Sequence, residues 1–309
     1  MCRILFCLMF LFSMAFSMEA TGEPNNQLIT LQTILDAKEL IVGMHKTDYP
    51  PFYLKKRRST IGDVVYGVIE SNNSDDNPFV LVGQDVDLAE GLGAKLGVKV
   101  RYVREATRFD DLVSDLVDGK THVVISHLSD TARRRQIVDF SDTYLETAVC
   151  LMASPIRLKQ RTDALEIKEL VHARDFNQEF VTIIAREGSS HAATAKQAFA
   201  KASVVTVLNT SYEPIMASIE KGSFYATIGD ELVMNILLTR SPEARKTLQL
   251  YPILQADYDE LGLENKNDKI GIAIQKGSTE LRDFINEYLK TVPFTPDDVI
   301  QYYVIDLKY

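Results

Sequence analysis

Two closely spaced runs, Ile125-Ser126-His127-Leu128-Ser129-Asp130-Thr131-Ala132-Arg133-Arg134 and Val138-Asp139-Phe140-Ser141-Asp142-Thr143-Tyr144, stand at the junction of two α/β series. The first run opens where a strand closes: His122 to Ser126 is a short apolar run with Val123, Val124 and Ile125 in a row, the pattern of a buried strand. Upstream, Thr107 to Asp118 places Phe109, Leu112, Val113, Leu116 and Val117 on one helical face. Thr107 with Asp110 resembles a capping box, and Gly119 is the stop. Further back, Val98, Val100 and Tyr102 alternate as a strand, and Asp87 to Gly97 carries Leu88, Leu92 and Leu96 at helical spacing. Leu40 to Met44 reads as another buried strand. Strand and helix thus alternate, which favours a parallel sheet covered by helices.

A second α/β series follows. Its strands are expected at Ala148–Ala153, Val181–Ala185, Val204–Leu208 and Tyr225–Ile228, and its helices at Ser190–Lys201, Ser211–Lys221 and Asp230–Leu238. Thr210 with Glu213 suggests another capping box. Lys269 to Ile274 reads as a late strand, followed by a helix bearing Leu281, Phe284, Ile285, Tyr288 and Leu289. Thr295-Pro296 signals a final helix start. Residues 53–82 fit poorly. They hold Lys55-Lys56-Arg57-Arg58 and a polar run over 71–77, and read as an exposed hairpin of Val64–Ile69 with Phe79–Val82, the basic residues in a solvated loop, with a partner contact as the alternative.

The 309 residues are 46% apolar and 25% charged, with 34 basic against 43 acidic residues and a net charge of −9. Such a chain can bury a large core, which excludes disorder as its main state. At roughly 150 residues per domain it has room for two. Nucleic acid is not an expected partner, because its binding needs clustered positive charge. Arg3 followed by the apolar block Ile4–Phe16 reads as a secretory leader, residues 1–17, with cleavage before Met18; an uncleaved anchor is the alternative. Cys2 and Cys7 leave with that leader. Cys150, in an apolar run, then reads as a buried small hydrophobe with no disulfide partner.

His45, His122, His127, His172 and His191 show no metal-ligand spacing, and no phosphate loop or GxSxG is present. No cofactor or metal is expected. What stands out is a set of separated segments: Val42-Gly43, Tyr49-Pro50-Pro51-Phe52, Val82-Gly83-Gln84-Asp85-Val86-Asp87-Leu88-Ala89, and the two runs quoted first. Their order and wording, from about Leu40 to Leu289, resemble the family 3 bacterial extracellular solute-binding proteins, the polar amino-acid receptors of ABC importers. The resemblance implies a two-lobed, type II periplasmic-binding-protein-like α/β fold, its two lobes joined by two crossing strands. Lobe 1 is then 28–146 plus 272–309, and lobe 2 is 149–270. It also implies a periplasmic location, no catalysis, and an inner-membrane ABC permease as partner. A monomer is expected.

Burying a zwitterion costs several kcal/mol per ion unless each charge is paired. The site therefore needs a bidentate cation, an acid and hydroxyl or amide donors. By resemblance, Arg134, three residues after Thr131, holds the α-carboxylate; the alternative is a surface ion pair. Ser129 matches the family's hydroxyl donor. His127 either reaches the ligand side chain or packs at the cleft mouth. Asp230, after the Phe224–Gly229 run, is the ammonium partner, or caps the helix that follows, or both. Ser190, in the turn Arg186–His191, offers a hydroxyl and N–H at a helix start, or simple capping by Ser189 explains that turn. Tyr49 and Phe109 are the aromatic walls, unless they are ordinary core. Lys46 favours a side-chain carboxylate, as in glutamate or aspartate, unless it points to solvent. Two other functions stay open because fold alone does not decide: an enzyme on the same scaffold, such as a prephenate- or arogenate-type dehydratase, with His127 or an acid nearby as its general acid, and a sensory binding protein.

Overall fold

A computed structural model describes residues 28–57, 79–263, 267–292 and 295–301. The leader, the expected strand Val64–Ile69 and the polar run over 71–77 lie outside the described residues.

Thirteen strands are seen among the described residues: β1 (Glu39–Gly43), β2 (Leu54–Arg57), β3 (Phe79–Val82), β4 (Lys99–Val103), β5 (Val123–Val124), β6 (Val138–Phe140), β7 (Leu145–Ala153), β8 (Thr182–Arg186), β9 (Ser203–Val207), β10 (Ala226–Asp230), β11 (Gln249–Pro252), β12 (Asn267–Ile270) and β13 (Ala273–Gln275). One sheet has the order β4-β1-β5-β13-β6 and a second β11-β7-β10-β8-β9, with β12 also paired to β7. The fold is α/β with two sheet-containing lobes.

The helices form for the reasons their spacing gives. Helix Gln84–Leu96 buries Leu88, Leu92 and Leu96 on one side, each full burial contributing about 2 kcal/mol. Gly97 ends it in the left-handed conformation, with φ 71°. Helix Thr279–Leu289 buries Leu281, Ile285, Tyr288 and Leu289. Thr295 caps helix Pro296–Ile300 by accepting the Asp298 N–H at 3.2 Å. Cys150 is fully buried, its Sγ 3.4 Å from Met234 Sδ.

Several expectations need correction. The sheets are mixed. β1 runs parallel to β4 and β5, and β8 runs parallel to β9 and β10. β13, however, is antiparallel to β5 and β6, and β7 is antiparallel to β10 and β11. The parallel strands are those joined by helical crossovers; β13 follows β12 from the other sheet with no crossover helix to set its direction. The late strand is two, β12 and β13, divided at Gly271, where a Cβ would lie 3.2 Å from the Phe140 ring. β3 pairs with β2, so Lys55 and Lys56 stand on a strand and not in a loop. The cap of helix Phe109–Val117 sits one residue late: Asp111 Oδ2 accepts the Arg108 N–H at 2.9 Å. Helix Tyr212–Glu220 has no side-chain cap; Thr210 Oγ1 donates to the Leu208 carbonyl instead.

β7 is the long strand between the sheets. Its first half, Leu145–Ala148, pairs with β12, and its second half, Val149–Ala153, pairs with β10 and β11.

Candidate functional site

Three consecutive arginines take three different directions. The backbone N–H of Arg134 donates to Thr131 Oγ1, which caps the short helix Ala132–Arg135. Arg133 and Arg135 turn outward to Asp110 and Asp130. Arg134 alone is buried, 5% exposed. Its Nη1 donates to the Ser129 carbonyl at 2.8 Å and its Nη2 to the Gly188 carbonyl at 3.1 Å. Ser129 follows β5 of the first sheet and Gly188 follows β8 of the second, so this one guanidinium bridges elements of both.

The pocket around it is lined by Tyr49, Phe109, His127, Ser129 and Ser190, together with Arg186, Ser189, His191 and Tyr212. Of the eight residues expected from sequence, six are therefore brought together. Asp230 adjoins them through His127, and Lys46 is not brought in: its ammonium is half exposed and lies 4.0 Å from Glu105.

Asp230 is fully buried and divides its two oxygens. Oδ1 accepts the Val233 N–H at 3.0 Å and caps helix Glu231–Arg240. Oδ2 accepts Thr147 Oγ1 at 2.5 Å and lies 3.0 Å from His127 Nε2. Capping and pocket contact thus coexist. His127 holds a left-handed backbone, φ 46°, and its ring stacks on Phe52 at 3.7 Å. The turn after β8 works similarly. Ser189 caps helix Ser190–Ala198 through the Ala192 N–H. This leaves the Ser190 hydroxyl free to meet Ser129 Oγ at 2.8 Å. Gly188, at φ 72°, lets that turn rest on the start of helix Phe109–Val117: a Cβ there would lie 3.2 Å from Arg108 Cβ and the Phe109 and Asp110 nitrogens.

Besides the lining residue Tyr212, three charged residues at or beside the site carried no role expected from sequence. Asp268 on β12 accepts Ser129 Oγ at 2.8 Å, and His191 Nε2 stands 3.2 Å away. Burial raises its carboxyl, yet the His191 ring and the Ser129 hydroxyl bring it below the ordinary value. Arg186, at the end of β8, is 5% exposed, its Cζ 4.9 Å from the Tyr49 and Phe109 ring centroids. Asp85 supports His127 from behind, accepting its backbone N–H at 2.6 Å and the Tyr144 hydroxyl at 2.9 Å. Among the described residues, no group of three or more His, Cys, Asp or Glu could hold a metal. None of their helices is long and apolar enough to cross a membrane.

Two buried groups near the pocket titrate in opposite senses. Burial pushes the Asp85 carboxyl up to about 6. Burial, then the Arg186 charge, pushes the His45 imidazole down to about 4. Folded Asp85 binds its proton more tightly than the unfolded chain does, so its contribution is complete below about pH 4 and is lost as pH rises through about 6. His45 contributes fully above about pH 6.5, and this is lost as pH falls through about 4. The two slopes oppose each other. Asp85→Asn removes one of them, worth about 3 kcal/mol in full. Thermal melts are expected to show wild type gaining stability relative to this variant as pH falls from about 7 to about 4.5; a difference that does not change with pH contradicts the assignment.

The family model of the bacterial extracellular solute-binding proteins, family 3, matches residues 69–294. A protein of Campylobacter jejuni named "Probable histidine-binding protein" is 32% identical over 104 residues, covering 33% of this chain and 38% of that relative. The lysine/arginine/ornithine-binding periplasmic protein of Escherichia coli K12 is 23% identical over 233 residues, covering 74% of this chain and 78% of the relative. Among solved structures, an ancestral amino acid-binding protein described as a precursor of cyclohexadienyl dehydratase superposes with a TM-score of 0.63 at 24% identity, over 88% of this chain and 98% of the other; that likeness concerns the fold. With the family model spanning most of the chain, the two-sheet architecture has a family to match: the chain belongs to the bacterial extracellular solute-binding proteins, family 3.

Proposed function

We propose that this chain is a periplasmic receptor that closes on one free amino acid and delivers it to an inner-membrane ABC permease, with no bond made or broken. The observation that carries the reading is the burial of Arg134 in a pocket that also holds two facing hydroxyls and adjoins a buried acid. Arg134 would keep its bonds to the Ser129 and Gly188 carbonyls and offer its remaining N–H groups to the α-carboxylate, a strong, charge-assisted pair. Asp230 would take the ammonium in place of His127 Nε2. Ser129 and Ser190 would donate to the carboxylate, and Tyr49 and Phe109 would flank the bound molecule. Lys46 takes no part.

The lobes would divide as 28–146 plus 272–309 and 149–270, with β7 and β12 as the crossing strands. Bonds that now join elements of the two sheets across the pocket, Ser129 to Ser190 and Arg134 to Gly188, would break on opening and re-form around ligand, a hinge closure driven by binding energy. Micromolar affinity, about −8 kcal/mol, lies within what a fully paired zwitterion supplies. The mature protein would act as a monomer after loss of residues 1–17. Mass spectrometry of small molecules released from the purified, denatured protein tests the reading. One amino acid at near-equal stoichiometry is the expected result; a different class of compound at that stoichiometry contradicts it.

A further inference from the structure

Arg186 is a buried cation without an anion. Its guanidinium carbon lies 4.9 Å from the Tyr49 and Phe109 ring centroids and 5.9 Å from that of Tyr212. Its Nη2 is buried with no hydrogen-bond partner among the described residues, and none of their carboxylates stands within ion-pair distance of it. Contacts with aromatic faces offset part of the desolvation cost of a guanidinium, but an unused N–H of a buried charge still costs free energy. Such a donor is satisfied by an acceptor, best an anionic one, which a planar guanidinium can hold in a fork. The three buried carboxylates at the site are already engaged, Asp85 by the His127 N–H and Tyr144, Asp230 by Thr147, Val233 and His127, and Asp268 by Ser129 and His191. Two buried guanidiniums, Arg134 and Arg186, line the same pocket. Phe109 and Tyr49, expected to flank a ligand, flank Arg186.

We propose that Arg186 makes this pocket selective for an amino acid bearing a second acid group, glutamate or aspartate, and against cationic side chains. The inference rests on the amino-acid reading of the pocket: Arg134 meets the α-carboxylate and Arg186 the side-chain carboxylate. A lysine or arginine ligand, or a protonated histidine, would bring its side-chain cation towards a fixed guanidinium, and like charges juxtaposed at a buried interface cost several kcal/mol. The pocket would thereby differ from those of the relatives named for histidine and for lysine, arginine and ornithine. Lys46, the residue from which sequence suggested an acidic ligand, is replaced in that role by Arg186.

Calorimetric titration of the full mature protein with L-glutamate, L-aspartate, L-glutamine, L-arginine and L-histidine tests this. Wild type is expected to bind glutamate or aspartate about 100-fold or more tightly than glutamine, arginine or histidine. Arg186→Met keeps apolar length between the rings and removes the charge. It is expected to lose about 100-fold for the acid and less than about 10-fold for glutamine. The wild-type selectivity stands as evidence by itself if that variant does not fold. Preference for arginine, histidine or glutamine overturns the role of Arg186 and leaves the amino-acid receptor standing. Unchanged acid affinity in folded Arg186→Met does the same. No heat from any amino acid overturns both.

Discussion

Arg134→Ala is expected to cost about 100-fold or more in amino-acid affinity while the protein stays folded. The size follows from burial. A ligand carboxylate entering this pocket gives up its hydration, and without a guanidinium it meets only hydroxyls and backbone; leaving a buried charge unpaired costs 3–5 kcal/mol. The fold should survive because the backbone N–H of residue 134, and not its side chain, completes the cap made by Thr131. The side chain does bridge Ser129 and Gly188, so some loss of affinity comes from a looser closed state. Calorimetry with the ligand found on the purified protein, alongside circular dichroism, measures both. Wild-type affinity in the variant removes Arg134 from the site. Arg133→Ala and Arg135→Ala, whose own side chains are exposed, should change affinity little.

Gly83→Ala is the second large effect, and it falls on stability. Gly83 precedes helix Gln84–Leu96 at φ 129°, a conformation side chains rarely adopt. A Cβ there would lie 2.3 Å from the Phe52 carbonyl oxygen and 2.7 Å from that of Pro51. Those oxygens cannot swing aside. Pro51 O accepts the Gln84 N–H and Phe52 O accepts the Asp85 N–H, at 3.2 and 2.9 Å. The substitution must therefore break the junction between the 49–53 turn and the helix. The expected loss is about 3–5 kcal/mol, or about 10 °C in melting temperature. It should also reach the pocket, because Asp85 sits two residues on and holds the His127 backbone. A variant melting within about 2 °C of wild type contradicts the packing described for Gly83.

Much of this arrangement is legible in the sequence, for reasons that differ by residue. Leu88, Leu92 and Leu96 announce their helix because burial is periodic along one face. Arg134 is picked out from its neighbours by its distance from Thr131, and that distance is physical: a residue at the third position of the short helix turns inward while those beside it do not. Asp230 and Ser190 were marked by the family resemblance, and each also stands at a helix start, a local feature that the sequence shows by itself. What stayed hidden depends on long-range pairing. Asp268 reaches Ser129 at the pocket's edge because β12 lies beside β7, which puts it opposite Thr147 across more than a hundred residues of chain. The antiparallel course of β13 is hidden for the same reason. Arg186 did leave a signal, a cation closing the buried run Ile183-Ile184-Ala185, with Glu187 next to it before a Gly-Ser-Ser turn. A cation at the end of a buried strand has to go somewhere, and here it goes between aromatic rings. Lys46 misled because proximity in sequence to Tyr49 does not fix direction, and its ammonium points to solvent.

Whether an amino acid binds at all is decided by titrating the folded protein, stripped of ligand by unfolding and refolding, with each of the twenty amino acids in a calorimeter. Saturable heat with at least one of them, acidic ones foremost, at one site per chain is the predicted result. No heat from any of the twenty, with the fold confirmed by circular dichroism, would contradict the receptor.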